Sequence, residues 1–313
     1  MGIKIVATGS YVPNKVLTNF DLEKMVETSD EWITTRTGIK ERRIAESETT
    51  SEMATKAVLN ALSGKSAEDI ELFLTATATP DMFFPSTACI VQSNLKNKKA
   101  LAFDISAACT GFIYGLYVAD SIMRSKDIKK SIVIGAERFS KILNWEDRTT
   151  CILFGDGAGA VVLEQSEEEG ILGFDIGADG SYGDLLYVES VGSNSEPPHY
   201  LYMKGNEVFK VAVRTMTDSA KRVLEKTGIS ADEISMLVPH QANVRIIDAV
   251  AKRLGIKNDK IFINLNRYGN TSAASIPIAL DEAVREGKVK KGDLVLMVAF
   301  GGGFTWGSCI VRL

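Results

Sequence analysis

An internal duplication constrains this sequence more than any other feature. Residues 64–74 (GKSAEDIELFL) match residues 228–238 (GISADEISMLV) at an offset of 164 residues. Residues 109–130 match residues 270–291 without a gap at an offset of 161 residues, with five identities. Two matches in the same order and at nearly the same offset indicate two related halves. We place these halves at residues 1–168 and 169–313.

Short β-rich runs alternate with helical patterns in both halves, which predicts mixed or parallel sheets covered by helices. The predicted strands are KIVATG, LFLTATA, ALAFDIS, SIVIGAE and AVVLE in the first half, and ILGFDIG, SMLVPH, IFINL, LVLMVAF and SCIVRL in the second. The predicted helices cover residues 51–62, 109–125, 207–227, 243–254 and 271–286. Helix 109–125 is apolar on all sides, so we expect it in the middle of the molecule.

Composition excludes several classes of function. The 313-residue chain is 45% hydrophobic and has a formal net charge of −4, so no general attraction to nucleic acid is expected. No signal peptide is recognisable, and glycines interrupt the uncharged segment 294–311, so we expect a cytoplasmic protein without a membrane span. Two histidines and the absence of a CxxC pair argue against metal sites and disulfides.

Cys109 stands among small residues in the segment FDISAACTGFIYG. It lies at the start of a predicted helix, where unpaired N–H groups and the helix dipole lower the pKa of a thiol. Ala107, Ala108 and Gly111 leave room for an acyl group, so we predict that Cys109 is a nucleophile. The other cysteines are interpreted as packing residues: Cys89, Cys151 and Cys309.

The duplication predicts two partners for this cysteine. Cys109 corresponds to Asn270 in the second match, and His240 corresponds to Ala76 just beyond a strand. Ligands of open α/β sheets bind at the carboxyl ends of the strands, so we expect Cys109, His240 and Asn270 to meet there. Taken alone, His240 could be a structural histidine and Asn270 a helix cap.

Two glycine-rich segments close the two halves, each interpreted as a turn before a strand. GDGAG, residues 155–159, resembles part of a dinucleotide loop, but a strand follows it rather than a helix, which excludes that phosphate site. GGG, residues 301–303, follows a strand and is either a tight turn or a source of N–H groups for an oxyanion.

Basic and aromatic residues indicate a charged ligand or partner. In helix 243–254, Arg245 and Lys252 lie opposite the apolar face, where they are either solubility charges or a site for an acidic protein or phosphate. Trp32, Arg36 and Arg148 could stack on and pair with a nucleotide.

The segments TSDEWITTRTGI, DISAACTGF, FGDGAGAVV, VPHQANVRII, RYGNTSAAS and FGGGFTWG, in this order, closely resemble the β-ketoacyl-acyl carrier protein synthase III family. The resemblance runs over essentially the whole chain. It implies an α/β thiolase-like fold with five αβαβα layers made from the two halves, and a homodimer. It also implies an acyltransferase that initiates fatty acid biosynthesis.

The resemblance implies a reaction in two steps. Cys109 would take the acyl group of acyl-CoA, and His240 and Asn270 would hold the thioester carbonyl of malonyl-acyl carrier protein as CO₂ leaves. The resulting carbanion would attack acyl-Cys109, with the N–H groups of Cys109 and Gly302 stabilising the oxyanion. No metal and no cofactor is implied, because CoA thioester and phosphopantetheine are substrates.

The resemblance also implies binding roles for several surface residues. The residues that fall where the family binds CoA are Trp32, Arg36, Arg148, Phe209 and Asn243. Arg245 and Lys252 fall where the family docks the acyl carrier protein. Phe84 matches a position that reaches the acyl pocket of the partner subunit, and a phenylalanine there implies a short primer.

Related enzymes of other types are alternatives. Elongating synthases need a second histidine, and His199 lies in a loop with no counterpart in the other half. Biosynthetic thiolases need a second reactive cysteine, and Cys309 in the last predicted strand is poorly placed. Papain-like proteases also use Cys, His and Asn, but in a different local sequence. Another condensing enzyme of this fold, a cysteine hydrolase and a non-catalytic thioester-binding protein remain open.

Overall fold

The computed structural model describes residues 1–190 and 192–313. The strands are β1 Gly2–Tyr11, β2 Val16–Thr18, β3 Glu41–Arg43, β4 Leu72–Ala76, β5 Leu101–Ile105, β6 Lys130–Arg138, β7 Asp156–Ser166, β8 Ile171–Ala178, β9 Leu186–Tyr187, β10 Tyr202–Met203, β11 Met236–Pro239, β12 Leu294–Gly301 and β13 Thr305–Arg312. The helices are α1 Asn19–Leu22, α2 Asp30–Thr37, α3 Thr50–Leu62, α4 Thr87–Asn94, α5 Gly111–Lys126, α6 Gly205–Thr227, α7 Val244–Leu254, α8 Leu265–Tyr268 and α9 Ser275–Arg285.

The two main sheets share one strand order. The first runs β1-β7-β6-β4-β5, and the second runs β8-β13-β12-β11. In each sheet the first two pairs are antiparallel and the next pair is parallel. The first sheet uses strands up to Ser166 and the second begins at Ile171. The repeated order is the structural counterpart of the sequence duplication.

The predicted strand IFINL, residues 261–265, is wrong. Ile261 makes a single parallel bridge to Leu237 of β11, in the place that β5 occupies in the first sheet. The amide of Asn264 then donates to the side-chain oxygen of Gln241 at 3.0 Å, and α8 begins directly afterwards. A side chain rather than a neighbouring strand therefore takes up the backbone donor at this edge.

Apart from Gly155, the segment GDGAG is not a turn but the beginning of β7. A Cβ on Gly159 would lie 2.7 Å from the backbone nitrogen of Ile278 in α9. The glycine therefore allows close packing of a helix on the strand. In the sequence, glycines of this kind cannot be distinguished from the glycines of a turn. Gly302 and Gly303 do lie in the turn between β12 and β13, as predicted.

Helices α5 and α9 lie between the two sheets. Leu116 of α5 and Ala279 of α9 share one core cluster with Val133 of β6 and Val295 of β12. α3 and α4 cover the outer face of the first sheet, and α6 and α7 cover that of the second. The five-layered αβαβα fold is therefore confirmed. Among the described helices, none combines the length and apolar character needed to cross a bilayer.

The five predicted helices correspond to α3, α5, α6, α7 and α9; the short helices α1 and α8 were missed, and so were α2 and α4. Helix α2 buries only Ile33 and Thr37, so its sequence has a weak apolar period. Its N-cap Ser29 accepts a hydrogen bond from the Trp32 amide at 3.1 Å, which was the available signal. A cap without a strong apolar period was not enough to predict the helix.

The structure gives the duplication one offset. The paired elements begin at Leu72 and Met236 (β4 and β11), Lys130 and Leu294 (β6 and β12), and Gly111 and Ser275 (α5 and α9). All are 164 residues apart, so the equivalence of Cys109 and Asn270 is wrong; Cys109 corresponds to Ala273. The offset of 161 differs by three residues, nearly one helical turn, so the apolar patterns of α5 and α9 match at both offsets.

Candidate active site

Cys109 lies in the 3-10 turn Ala108–Thr110, between β5 and α5. Ala108 has a φ of 46°, in the left-handed region that residues other than glycine rarely adopt. Cys109 is only 8% exposed. The turn therefore holds the sulfur in a buried position directly before the central helix.

The turn that carries Cys109 is bound to the glycine turn between β12 and β13. The Thr305 hydroxyl donates to the Ala107 carbonyl at 3.1 Å and lies 2.9 Å from the Thr110 hydroxyl. A Cβ on Gly301 would lie 2.7 Å from the backbone nitrogen of Cys109, closer than real Cβ contacts allow. Only glycine lets the two turns approach this closely.

The predicted oxyanion donors, the amides of Cys109 and Gly302, belong to these facing turns. A Cβ on Gly302 would lie 3.8 Å from the Cβ of Ala108. In the part of the chain that the structure describes, neither amide donates to a backbone carbonyl outside a helix or strand. The role of the two amides as oxyanion donors stays a prediction.

The prediction of a lowered pKa for Cys109 is wrong for this structure. Burial raises the pKa of the thiol to about 12; the hydrogen bond from Ser272 lowers it, and the Glu137 carboxylate raises it. Loss of water around the thiolate is the largest cause of this shift. The thiol is therefore protonated at neutral pH, and a base must take its proton before it can attack.

His240 follows β11 and is 2% exposed. Its backbone N–H donates to the Val298 carbonyl of β12 at 2.8 Å. Its Nδ1 atom is buried and has no hydrogen-bond partner among the described residues. Burial lowers the pKa of the imidazole to about 3, so the ring is neutral and carries one N–H donor.

Asn270 is held by its backbone and by its side-chain oxygen. Its N–H donates to the Leu153 carbonyl at 2.8 Å, and its carbonyl accepts from the Gly155 amide at 3.0 Å. Its Oδ1 atom accepts from the Ser272 amide at 2.8 Å. Since Oδ1 is used in this way, Nδ2 is the end of the amide that can donate to a ligand.

The turn that carries Cys109 contacts the turn that carries Ser272, and the Ser272 amide donates to Asn270 Oδ1 at 2.8 Å. Hydrogen bonding from the Ser272 side chain lowers the pKa of Cys109. His240 lies at the end of β11, which pairs with β12. Strand β12 in turn ends at Gly301, against the Cys109 amide. Strand β12 thus connects the strand before His240 to the turn of Cys109.

Sequence reasoning missed two residues near Cys109, namely Glu137 and Ser272. Glu137 is fully buried at the end of β6, and burial raises the pKa of its carboxyl to about 7. Its Oε1 atom accepts from the Ser272 hydroxyl at 3.1 Å, and its Oε2 atom from the Thr79 hydroxyl at 2.6 Å. The signal was an acidic residue at the end of the uncharged run SIVIGA, which is unusual for a buried strand.

Three of the predicted CoA-binding residues form one surface cluster. The Cζ atoms of Arg36 and Arg148 lie 4.6 Å and 5.5 Å from the ring centre of Trp32. Arg148 also donates to the Glu27 carbonyl at 2.9 Å. An aromatic ring beside two guanidinium groups is suited to stacking on a base and pairing with phosphate.

The other predicted surface residues gather around α7. Asn243 caps the helix, because its side-chain oxygen accepts from the Arg245 amide at 2.9 Å. The Cζ atom of Arg245 lies 5.7 Å from the ring centre of Phe209. Lys252 is exposed further along α7. Helix α2, which carries Trp32, packs against α7, so the two groups of surface residues are neighbours.

Phe84 does not reach the site within this chain. It is 85% exposed and lies beside Phe83, which is 73% exposed, and Met82, which is 49% exposed. Contiguous exposed apolar side chains of this size are typical of a surface that another protein covers.

Two protein-family models match the chain. The model 3-Oxoacyl-[acyl-carrier-protein (ACP)] synthase III matches residues 103–180, and the model of its C-terminal part matches residues 224–313. Cys109 lies in the first matched segment, and His240 and Asn270 lie in the second. Together the two segments cover more than half of the chain.

Full-length relatives agree with the family models. The β-ketoacyl-[acyl-carrier-protein] synthase III of Aquifex aeolicus is 57% identical over 100% of both chains, and its crystal structure matches with a TM-score of 0.95. The Thermus thermophilus enzyme is 45% identical over 99% of both chains, also with a TM-score of 0.95. The priming β-ketosynthase of the R1128 polyketide pathway is 34% identical, over 100% of this chain and 96% of its own, with a TM-score of 0.95.

Gly301→Ala is expected to lower the free energy of unfolding by about 1–3 kcal/mol, because the new methyl group would collide with the Cys109 backbone. Urea denaturation followed by circular dichroism measures the change. Gly180→Ala is the control, since a Cβ there meets nothing within 4 Å, and its stability should stay the same or rise by up to about 1 kcal/mol. Equal stability changes in the two variants would contradict the close approach of the turns.

Proposed function

Because the chain belongs to the 3-oxoacyl-[acyl-carrier-protein] synthase III family, we propose that it condenses a short-chain acyl-CoA with malonyl-acyl carrier protein. The family makes it an acyltransferase that initiates fatty acid synthesis. The proposed products are 3-oxoacyl-acyl carrier protein, CoA and CO₂. The observation that carries this proposal is the junction where the Cys109 turn contacts the Ser272 turn, which is bonded to Asn270, beside Gly301.

In the first half-reaction Cys109 attacks the acyl thioester, and CoA leaves with the acyl group bound to Sγ. The N–H groups of Cys109 and Gly302 donate to the oxyanion of the tetrahedral intermediate. A single donor of this kind changes the rate by about 10²- to 10³-fold. Since CoA leaves before the second substrate reacts, the kinetics are ping-pong.

In the second half-reaction His240 and Asn270 hold the thioester carbonyl of malonyl-acyl carrier protein. As CO₂ leaves, negative charge develops on this carbonyl oxygen, where the neutral imidazole and Nδ2 donate hydrogen bonds. The carbanion then attacks the acyl group on Cys109. We propose that this chemistry uses neither a metal nor a cofactor, because CoA and phosphopantetheine thioesters are themselves the substrates.

The surface residues receive the two substrates. Trp32, Arg36 and Arg148 stack on and pair with the nucleotide of CoA, which the cluster of ring and guanidinium groups supports. The further residues proposed to contact CoA are Phe209 and Asn243. Arg245 and Lys252 on the exposed side of α7 dock the acidic carrier protein.

A homodimer covers the apolar segment of residues 82–84. Its exposure in the single chain supports this arrangement, because three neighbouring large apolar side chains are costly in water. Phe84 then reaches the acyl pocket of the partner subunit, where its bulk favours a short primer.

A second candidate function is the priming of another condensing pathway. It is supported by the similarity, over the whole chain, to the priming β-ketosynthase of the R1128 polyketide pathway. The two candidates share the chemistry of Cys109, His240 and Asn270. They differ in the primer and in the carrier protein that presents the extender.

We expect condensation to prefer malonyl-acyl carrier protein to malonyl-CoA as extender. Basic residues on α7 attract an acidic carrier, which free malonyl-CoA lacks. Initial rates are measured with acetyl-, isobutyryl- and hexanoyl-CoA as primers and each extender in turn. Equal or faster condensation with malonyl-CoA would contradict the proposal, and release of free acid alone would indicate a hydrolase.

Arg245→Glu is expected to raise KM for malonyl-acyl carrier protein by about 10-fold or more, since the reversed charge repels the carrier. The rate of Cys109 acylation by acyl-CoA should stay unchanged. Lys288→Glu, the same charge change at an exposed site outside α7, is the matched control and should leave both values unchanged. An equal rise in KM in both variants would show a general charge effect rather than docking at α7.

A further inference from the structure

The buried carboxylate of Glu137 is bonded by neutral donors rather than by a cation. It accepts from the Thr79 hydroxyl at 2.6 Å, the Ala78 amide at 3.1 Å and the Ser272 hydroxyl at 3.1 Å. Within the described residues, no positive charge contributes to the pKa of Glu137. A buried carboxylate without a counter-ion is costly to keep, and it contributes little to stability by itself.

Other charged groups near Glu137 are turned away or paired. Arg138 donates to the Ala45 carbonyl, and Asp156 accepts from the Ala45 amide. Arg138 of β6 is paired with Asp156 of β7, and this pair is next to the pair that contains Glu137. Neighbouring positions of a strand point to opposite faces, so Arg138 and Asp156 lie on the face of the sheet opposite to Glu137. Charged side chains on the other elements around β6 have the following partners: Glu52 with Thr49, Lys56 with Tyr11, Asp81 with Ser51, Asp120 with Arg124, Lys130 with Glu164, Asp281 with Arg285, and Glu282 with Arg267. Cys109 is close enough to Glu137 for the carboxylate charge to raise the pKa of the thiol.

Ser272 lies in a turn that contacts both the Cys109 turn and β6, the strand that ends beside Glu137. Its φ of 49° is in the left-handed region, and its amide is bonded to Asn270 Oδ1. The adjoining backbone is held against β6, because a Cβ on Gly135 would lie only 2.2 Å from the Ala273 carbonyl oxygen. The Ser272 backbone is therefore fixed beside β6, and its hydroxyl donates to the Glu137 carboxylate from this position.

A serine hydroxyl has one proton and two lone pairs, so it can donate to only one of its two neighbours at a time. When it donates to the Glu137 carboxylate, its oxygen is free to accept the S–H of Cys109. When Glu137 carries a proton and donates to Ser272, the hydroxyl can donate to a Cys109 thiolate. The two arrangements differ by the transfer of one proton from sulfur to carboxylate.

We propose that Glu137, acting through Ser272, takes the proton of Cys109 when the thiol attacks acyl-CoA. The S–H proton moves to Ser272 Oγ as the Ser272 proton moves to Glu137 Oε1, so the negative charge passes from the carboxylate to the sulfur. The sulfur forms the new C–S bond, and the bond to CoA breaks. The proton then returns through Ser272 to the departing CoA thiolate, which leaves as free thiol. Glu137 is thus a positioning residue that holds one proton during acylation.

The basicities of the neighbouring groups support this assignment over the alternative acceptor. Burial lowers the pKa of His240 to about 3, so the buried imidazole is a poor base for the thiol. Burial raises the pKa of Glu137 to about 7, which makes its carboxylate the stronger base of the two. Protonation of Glu137 also removes the negative charge that raises the pKa of Cys109.

The proposal fixes the direction of a pH effect. Glu137 accepts a proton only when it is ionised, and its pKa lies at about 7. The rate of acylation should therefore be constant at higher pH and fall tenfold per unit as the pH drops below about 7. A free thiol of the usual kind would instead show a rising rate up to its own higher pKa.

The test uses single-turnover acylation of the full-length protein by labelled acetyl-CoA, with acyl-Cys109 measured by mass spectrometry across pH 5–9, a range on the order of two units on either side of the pKa. Glu137→Gln keeps the volume of the side chain and removes the base. We expect its acylation at pH 8 to fall by about 10²-fold or more and the step near neutral pH to disappear. Condensation of pre-acylated Glu137→Gln with malonyl-acyl carrier protein should change much less. Acylation at the wild-type rate with the wild-type pH step would overturn the proposal, as would equal losses in acylation and condensation.

Two further variants keep the test decisive if Glu137→Gln folds poorly. Ser272→Ala retains the carboxylate but removes the hydroxyl that passes the proton. Its acylation rate should therefore also lose the step near pH 7, that is, the fall in rate below this pH. Thr79→Val removes a hydrogen bond that lowers the pKa of Glu137, so the step should move to higher pH. Asp156→Asn is the matched control, a buried carboxylate on the other face of the same sheet, and it should leave the step in place. A step that stays unmoved in both Ser272→Ala and Thr79→Val would overturn the proposal.

The inference rests on the proposed acylation of Cys109, and the same experiment separates the two. If the wild-type protein forms no acyl-Cys109, the proposed function fails. If it forms acyl-Cys109 and the variants of Glu137 and Ser272 behave like the wild type, only the relay fails.

Discussion

The close backbone approach of the two halves is the constraint on which the site depends. Gly301 at the end of β12 lies against the Cys109 amide, and Gly135 in β6 lies against the Ala273 carbonyl. Each inner strand therefore contacts the turn that precedes the central helix of the other half. This contact brings the turns of Cys109 and Ser272 face to face, and it buries them between the sheets. A side chain at either glycine would separate the halves where the chemistry takes place.

The duplicated frame carries different chemistry at equivalent positions. Ala108 and Ser272 are 164 residues apart and both have a left-handed φ. Glu137 and Gly301 are also 164 residues apart; one bonds Ser272, and the other admits the Cys109 amide. The fold thus provides two similar turns, and the side chains make one of them the site of the nucleophile and the other a source of hydrogen bonds. Asn270 lies just before the second turn, and Ser106 is the residue at the equivalent position of the first half.

The alternation of strands and helices, and the duplication itself, predicted two related halves with mixed or parallel sheets covered by helices; the five layers were implied by the family resemblance. Periodicity could not fix the register, because a shift of three residues leaves the apolar face of a helix nearly unchanged. Asn270 was therefore found through an equivalence that the structure contradicts. The resemblance to a family, carried by short segments around Cys109, His240 and Asn270, did not depend on that register.

Burial explains why the electrostatics of the site could not be predicted from the sequence. A cysteine at a helix start suggests a low pKa, but removal of water raises the pKa of Cys109 to about 12. The same burial keeps His240 neutral and raises the pKa of Glu137 to about 7. Which effect is larger depends on packing between residues that are far apart in the chain. The result is a site in which the thiol needs a base and the histidine is a neutral donor.

The central claim is that Cys109 carries the acyl group while His240 and Asn270 serve the second half-reaction. The most direct measurement is to follow acyl-Cys109 formation and CO₂ release from malonyl-acyl carrier protein separately in His240→Ala and Asn270→Ala. The account predicts acylation near the wild-type rate and CO₂ release reduced by about 10²-fold or more in each variant. Unchanged CO₂ release, or loss of acylation in both variants while they remain folded, would contradict it.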